Sequence, residues 1–238
     1  MNLDILVLTA HPDDAEIGIG GSIAKFVDEG YKVGIVDFTQ GELGTRGTIE
    51  TRKEEAENAK KILGIHVREN LKFPDGTVKV KEEFVHEVIK VIRKYRPKIL
   101  IAPYYNDRHP DHVGAGLIAK DAMFFAGLPK IKSEIDGVEQ EAYRPAKLFY
   151  FMMTYEFEPS FIIDISAYIE TKLKAILAFK TQFHDPDSDA PETFISKPGF
   201  LEMIKSRASH NGFKIRKDFG EPFYCEEDIE LSTKDFFQ

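Results

Sequence analysis

Short runs of β-branched and leucine residues alternate with longer charged segments through the first half of the chain. Leu3–Thr9, Val33–Phe38 and Ile99–Ala102 are continuous apolar runs of buried-strand length, and Val67–Leu71 is a weaker one. Between them, Gly18–Glu29, Ile49–Leu63 and Lys81–Tyr95 carry apolar residues at i, i+3 and i+4, the helix period. The segment RKEEAENAKKIL is clearly amphipathic, and Gly64 follows it as a C′ residue should. This alternation predicts an α/β, Rossmann-like fold: a mostly parallel sheet, helices on both faces, and right-handed crossovers.

The second half is less regular. Lys147–Met152 and Phe161–Asp164 read as further strands, Ser166–Phe179 and Pro198–Asn211 as helices. Gln182–Pro198 is a long loop rich in proline and aspartate. No repeat or linker divides the chain, so residues 1–238 are expected to form a single domain with a C-terminal α/β elaboration.

Composition removes several function classes. The 238 residues hold 32 Lys+Arg against 40 Asp+Glu, a net charge of −8 with no basic tract, which argues against nucleic-acid binding by bulk charge. An anionic substrate would need a local basic site. Cys225 stands alone, so neither a disulfide framework nor a thiolate-rich zinc site is expected. The opening apolar run lacks a basic flank and breaks at His11, too early for a signal peptide or membrane span. A cytoplasmic location without membrane association is the expectation.

Chemistry concentrates in two loops, each following a strong strand candidate. The first is Ala10-His11-Pro12-Asp13-Asp14-Ala15-Glu16, the second Asn106-Asp107-Arg108-His109-Pro110-Asp111-His112. In an open parallel sheet, ligands bind beyond the carboxyl ends of strands where the strand order reverses. A 3-2-1-4 order would make the strands preceding these loops neighbours at that reversal, and the loops would face one another. Imidazole and carboxylate together suit zinc or a similar first-row ion. Each loop holds more such groups than three ligands require, so the surplus is available as acid and base. Taken singly, each loop has a plainer reading: Asp13 and Asp14 as helix caps with Glu16 completing a capping box, and Pro110 with Asp111 as an ordinary helix start. Two such loops at adjacent strand ends argue against that reading.

AHPDDAE after the first strand, with HPDH later, resembles the LmbE/PIG-L superfamily of zinc-dependent N-acetylglucosaminyl deacetylases. The stretch from Thr39 through Gly-Glu-Leu-Gly-Thr-Arg-Gly to Thr48, followed by Arg52-Lys-Glu-Glu-Ala, resembles the bacillithiol-biosynthesis branch acting on N-acetylglucosaminyl malate. The likeness runs from residue 3 to about 185 and fades where relatives carry a Tyr-Gly/Ala-Glu-Gly-Phe-like segment, here Phe219-Gly-Glu-Pro-Phe223. The resemblance implies metal ligands His11, Asp14 and His112, with Asp13 as general base. It implies that His109 is an imidazolium that stabilises the oxyanion and protonates the leaving amine, with Asp111 orienting it. It places Arg52 on the substrate, and Arg46 and Arg108 join it as candidate grips on malate carboxylates. It implies Zn²⁺, with Fe²⁺ or Co²⁺ also compatible with these ligands, and a homo-oligomer, trimer or hexamer.

Gly18, Gly20 and Gly21 do not match a dinucleotide fingerprint and are read as close helix–strand packing. Asp185-Pro-Asp187-Ser-Asp189 starts like a calcium loop but lacks its turn glycine and terminal glutamate, so an exposed loop at the rim of the site is expected. The expected function is metal-dependent deacetylation of N-acetylglucosaminyl malate to glucosaminyl malate and acetate. The alternatives are deacetylation of free N-acetylglucosamine or chitooligosaccharides, a mycothiol-conjugate-type amidase, or a metal- or nucleotide-binding module.

Overall fold

A computed structural model describes residues 1–184 and 189–233. Strands β1 (Ile5–Thr9) and β2 (Val33–Asp37) are buried at every position, which is why their sequences are apolar runs rather than alternations. Helix α1 (Asp14–Asp28) joins them. The chain continues through α2 (Ile49–Leu63), β3 (Val67–Asn70), α3 (Glu82–Tyr95), β4 (Ile99–Pro103) and α4 (Pro110–Ala126). A small hairpin, β5 (Glu134–Ile135) with β6 (Val138–Glu139), precedes β7 (Lys147–Phe151), β8 (Phe161–Asp164), α5 (Ile169–Leu177), α6 (Phe200–Lys214) and β9 (Gly220–Tyr224).

The seven-stranded sheet has the order β3-β2-β1-β4-β7-β9-β8. Its first five strands are parallel, and β9 pairs antiparallel with both β7 and β8. Period-two alternation splits the core. Leu6, Leu8, Val36 and Leu100 pack with α3 and α4 on one face, while Ile5, Val7, Val33 and Ile35 pack with α1 on the other. The expected 3-2-1-4 order is present, so the loops after β1 and β4 meet where the order reverses.

Several elements differ from expectation. Helix α1 begins at Asp14, not Gly18, and breaks at Ile19, whose φ of −137° leaves the helical region. That break exposes the amides of Gly21 and Ser22, which donate to the buried Glu221 carboxylate at 3.1 and 2.6 Å. An anion at a helix start is well placed to receive them. Hairpin β5–β6 and strand β9 have no counterpart in the sequence reading, and α4 has one only at its Pro110-Asp111 start. In β9, Pro222 lies past the end of β7, whose pairing with β9 covers only Tyr224 and Phe223, so its missing N–H removes no ladder bond there. Asp185 and Asp187 of the expected exposed loop lie outside the described residues.

Gly20 and Gly21 of α1 lie against Lys172 of α5 and Ile165, whereas Gly18 allows the expected close approach of helix to strand: a Cβ there would sit 2.4 Å from the Phe151 ring of β7. Gly114 does the same for α4, where a Cβ would fall 2.0 Å from the Val78 carbonyl oxygen, a backbone atom that cannot swing away. Gly114→Ala is therefore expected to cost about 1–3 kcal/mol in urea-unfolding stability. An unchanged midpoint would show that α4 does not need this approach.

Candidate active site

The turn after β1 is strained in a specific way. Asp13 has φ 116°, a left-handed conformation uncommon for a residue with a Cβ and costing on the order of 1–3 kcal/mol. Its side chain makes no capping bond to α1. Instead Arg52, buried at the start of α2, donates to the Pro12 carbonyl and lies 3.4 Å from the Asp13 carboxylate. Arg52 thus braces the HisProAsp turn from behind. Asp14 does not cap either. Its Oδ2 accepts from the amides of Ala10 and His11 at 3.0 and 2.9 Å, leaving Oδ1 3.2 Å from His112 Nε2. Glu16 is buried against Arg68 at 2.6 Å, not in a capping box. The plainer reading of the first loop therefore fails on geometry.

The second loop, which leads into α4, closes the site. The rings of His11, His109 and His112 lie 4.8 to 5.5 Å apart, and their nitrogens form a group close enough to share one ion. Two of the three imidazoles have their far nitrogen held by a carboxylate. His112 Nδ1 contacts Asp107 Oδ1 at 2.7 Å, and His11 Nε2 contacts Asp75 Oδ1 at 3.1 Å and Asp111 Oδ2 at 3.5 Å. This leaves His112 Nε2 and His11 Nδ1 on the Asp14 side, the latter 3.7 Å from Asp14 Oδ2. A carboxylate on the outer nitrogen fixes tautomer and ring orientation at metal sites. The donor set therefore fits a first-row divalent ion.

Electrostatics agree. Burial disfavours a charged His112, yet the Asp14 carboxylate and the Asp107 contact outweigh it and raise its pKa to about 9. Burial likewise opposes a charged His11, and contacts with Asp111, Asp14 and Asp75 overcome it, raising its pKa well above the usual range. The field that draws protons onto these rings would also draw a cation. Asp13 behaves oppositely: burial, only partly offset by Arg52, pushes its pKa up to about 7. That value suits a general base at neutral pH.

His109 departs from expectation in partner and in charge. Its Nδ1 accepts the backbone N–H of Asp111 at 3.2 Å, while the Asp111 carboxylate turns away to accept from Gly76 and Val78 amides at 2.7 and 3.1 Å. Burial, with the neighbouring His11 and His112, lowers the His109 pKa. Asp111 thus acts on His109 through its amide, and its carboxylate serves His11. An accepting Nδ1 places the proton of neutral His109 on Nε2.

The cavity over these groups has a volume of about 630 Å³. Of the three arginines, Arg52 and Arg108 line it, whereas Arg46 is buried beside Gln182, which donates to its carbonyl at 2.6 Å. Arg108 is exposed and lies 4.6 Å over the Phe194 ring. Three contributors escape a reading of the sequence: Asp75, Asp107 and Arg207, which lines the cavity and donates to the Met153 carbonyl. Only Asp107 carries a signal, its place inside the second loop. Asp107→Ala is expected to weaken metal affinity about 10–100-fold in a chelator competition. An unaltered affinity would remove its role in orienting His112.

Among known proteins, the family model PIG-L, described as GlcNAc-PI de-N-acetylase, matches residues 6–123. The chain is 33% identical over 191 residues to diacetylchitobiose deacetylase of Thermococcus kodakarensis, covering 75% of this chain and 70% of the relative. It is 30% identical over 196 residues to a probable N-acetyl-alpha-D-glucosaminyl L-malate deacetylase 2 of Bacillus cereus, covering 76% and 84%. The crystal structure of a conserved protein from Thermus thermophilus aligns with a TM-score of 0.86 at 36% identity, over 97% of this chain and 98% of that one.

Proposed function

Since the chain belongs to the PIG-L family of de-N-acetylases, we propose that it is a metal-dependent hydrolase removing the acetyl group from an N-acetylglucosaminide. The observation that carries this reading is the pair of carboxylate-anchored imidazoles, His11 and His112, set about Asp14 with Asp13 alongside and titrating near neutrality. His11, Asp14 and His112 would hold the ion, with zinc the first candidate and iron or cobalt compatible with the same ligands.

A bound divalent ion there would polarise the acetamide carbonyl and lower the pKa of attacking water. Asp13 accepts the proton that water loses as its oxygen bonds to the carbonyl carbon. His109 presents its Nε2–H to the oxygen on which negative charge develops, an interaction worth ~10²–10³ in rate in comparable sites. The carbon–nitrogen bond then breaks and the proton returns to the departing nitrogen, giving a free amine and acetate. Arg52, held on Pro12 and Asp13, serves this chemistry by fixing the base rather than by gripping substrate.

The observations divide over the rest of the substrate. A neutral sugar is favoured by the apolar residues Met153, Phe194, Ile195 and Ile204 in the cavity lining and by the Thermococcus relative. A malate conjugate, the bacillithiol-type substrate, is supported by exposed Arg108 and the Bacillus relative. With Arg46 outside the cavity lining, Arg52 engaged by Asp13 and Arg207 held on the Met153 carbonyl, the first is the better supported. The test is acetate release by protein stripped with chelator and titrated with Zn²⁺. Activity rising in proportion to bound metal, up to one ion per chain, is expected; no acetate at full loading would refute the reading.

A further inference from the structure

Asp107 ties the second loop together. Its Oδ1 lies 2.7 Å from His112 Nδ1 and accepts the His109 amide at 3.0 Å, so one carboxylate oxygen sets both imidazole residues. Its Oδ2 accepts from the amides of Thr154 and Tyr155 at 2.7 and 3.2 Å. Those amides belong to the segment between β7 and β8, which has no regular structure and is exposed at both residues. From Met153 to Pro159, among the described residues, the backbone hydrogen-bonds to two side chains only, Asp107 and Arg207. A carboxylate that orients a metal ligand thus leans on a stretch that no strand or helix holds.

Arg207 supplies the hold. It stands in the middle of α6, where Phe200, Ile204 and Ala208 are buried at every fourth position and fix the helix by packing. Its guanidinium donates to the Met153 carbonyl, and no carboxylate among the described residues lies within ion-pair distance of it. Burial works against a cation left without such a pair. The acceptor explains what the contact achieves. The Met153 C=O and the Thr154 N–H are the two ends of one peptide unit. That unit is planar and trans, so they point in opposite directions. Arg207, by holding the oxygen on one side, aims the N–H at Asp107 on the other. Turning this peptide over would break both bonds at once and leave Asp107 Oδ2 with the longer Tyr155 contact alone.

We infer that Arg207 is a positioning residue, which acts through the Met153–Thr154 peptide on Asp107 and thereby on His112 and the backbone of His109. This inference rests on the proposed metal-dependent deacetylation. Helix α6 is then part of the support of the metal centre, although it supplies no ligand. Arg207 also lines the cavity. A direct role on substrate would give a different result, a raised KM with metal binding unchanged.

The test is a double-mutant cycle read as Zn²⁺ affinity in chelator competition, with visible absorption of the Co²⁺-loaded proteins as a second readout. Arg207→Met keeps the apolar stem and loses the donor. It is expected to weaken affinity about three- to tenfold, less than the 10–100-fold of a group touching the ligand itself, and to shift the cobalt bands. Arg207→Lys retains a donor and should recover most of the affinity. Thr154→Pro deletes the aimed N–H without touching α6 and should reproduce the loss even if Arg207→Met does not fold. Added to Asp107→Ala, Arg207→Met should have no further effect, because its influence runs through that carboxylate. Three results would overturn the inference: unchanged affinity and cobalt spectrum in Arg207→Met or Thr154→Pro, full additivity with Asp107→Ala, or a raised KM with metal affinity intact. The expected metal pattern without acetate release by wild type would support the inference and overturn the deacetylase reading.

Discussion

Asp13→Asn is expected to lower kcat for acetate release by about 10²–10⁴-fold while the protein keeps its metal. Asparagine preserves the shape beside Arg52 but cannot take a proton from water. The position is prepared for that task from three directions. The carboxylate is buried, its backbone is held at φ 116°, and Arg52 both grips the preceding carbonyl and limits how far burial raises the pKa. Asp14, one residue on, has the opposite environment. Burial disfavours its charge too, yet His112 and His11 hold its pKa well below the usual carboxylate range, as befits an anionic ligand. Two adjacent carboxylates are thereby separated into a base and a ligand. His112→Ala should lose metal and activity together. If Asp13→Asn also emptied the site, Asp13 would be a ligand and this division would be wrong.

Glu221→Ala is expected to be the most damaging substitution for stability, costing about 3–5 kcal/mol in equilibrium unfolding by urea. Glu221 lies 2.5 Å from Lys172 Nζ, and each side chain is only 2% exposed. The same carboxylate receives the two amides freed by the break in α1. Removing it leaves a buried ammonium with only the Gly18 carbonyl at 3.2 Å, and leaves those amides without an acceptor. The double change Lys172→Met with Glu221→Gln should cost much less, because no unpaired charge remains. A loss below about 1 kcal/mol for Glu221→Ala would mean that water replaces the carboxylate and that the pair does not anchor α5 and β9 to α1.

How much of this was legible in the chain depended on whether the signal was local. The parallel half was readable because β1, β2 and β4 are apolar runs and α2 ends at a glycine, Gly64, with φ 69°. Beyond its Pro110 start, helix α4 was hidden because PDHVGAGLIAKDAMFFA has little polar–apolar contrast, lying against both β4 and α3 and carrying glycines where backbone approaches. Strand β9 was masked by Pro222, whose tolerance depends on where its neighbour β7 stops. At the site, the two His/Asp loops announced themselves. Asp75 did not, since Pro-Asp-Gly reads as a turn and its bonds to His11 Nε2 and the Leu43 amide are long-range. The same limit applied to Asp111. Sequence adjacency suggested that its carboxylate serves His109, whereas the fold turns it to His11 and the Gly76–Val78 backbone. Arg52 sits among Glu54, Glu55 and Glu57 in the sequence, yet its carboxylate neighbour is Asp13, from another element.

The most direct test follows a ¹³C label on the acetyl group of N,N′-diacetylchitobiose incubated with the metal-loaded protein. Free labelled acetate and free amine are expected in equal amounts, stopping on chelation and resuming when metal is restored. Label that stays in the amide while one ion per chain is bound would contradict metal-dependent deacetylation at this site.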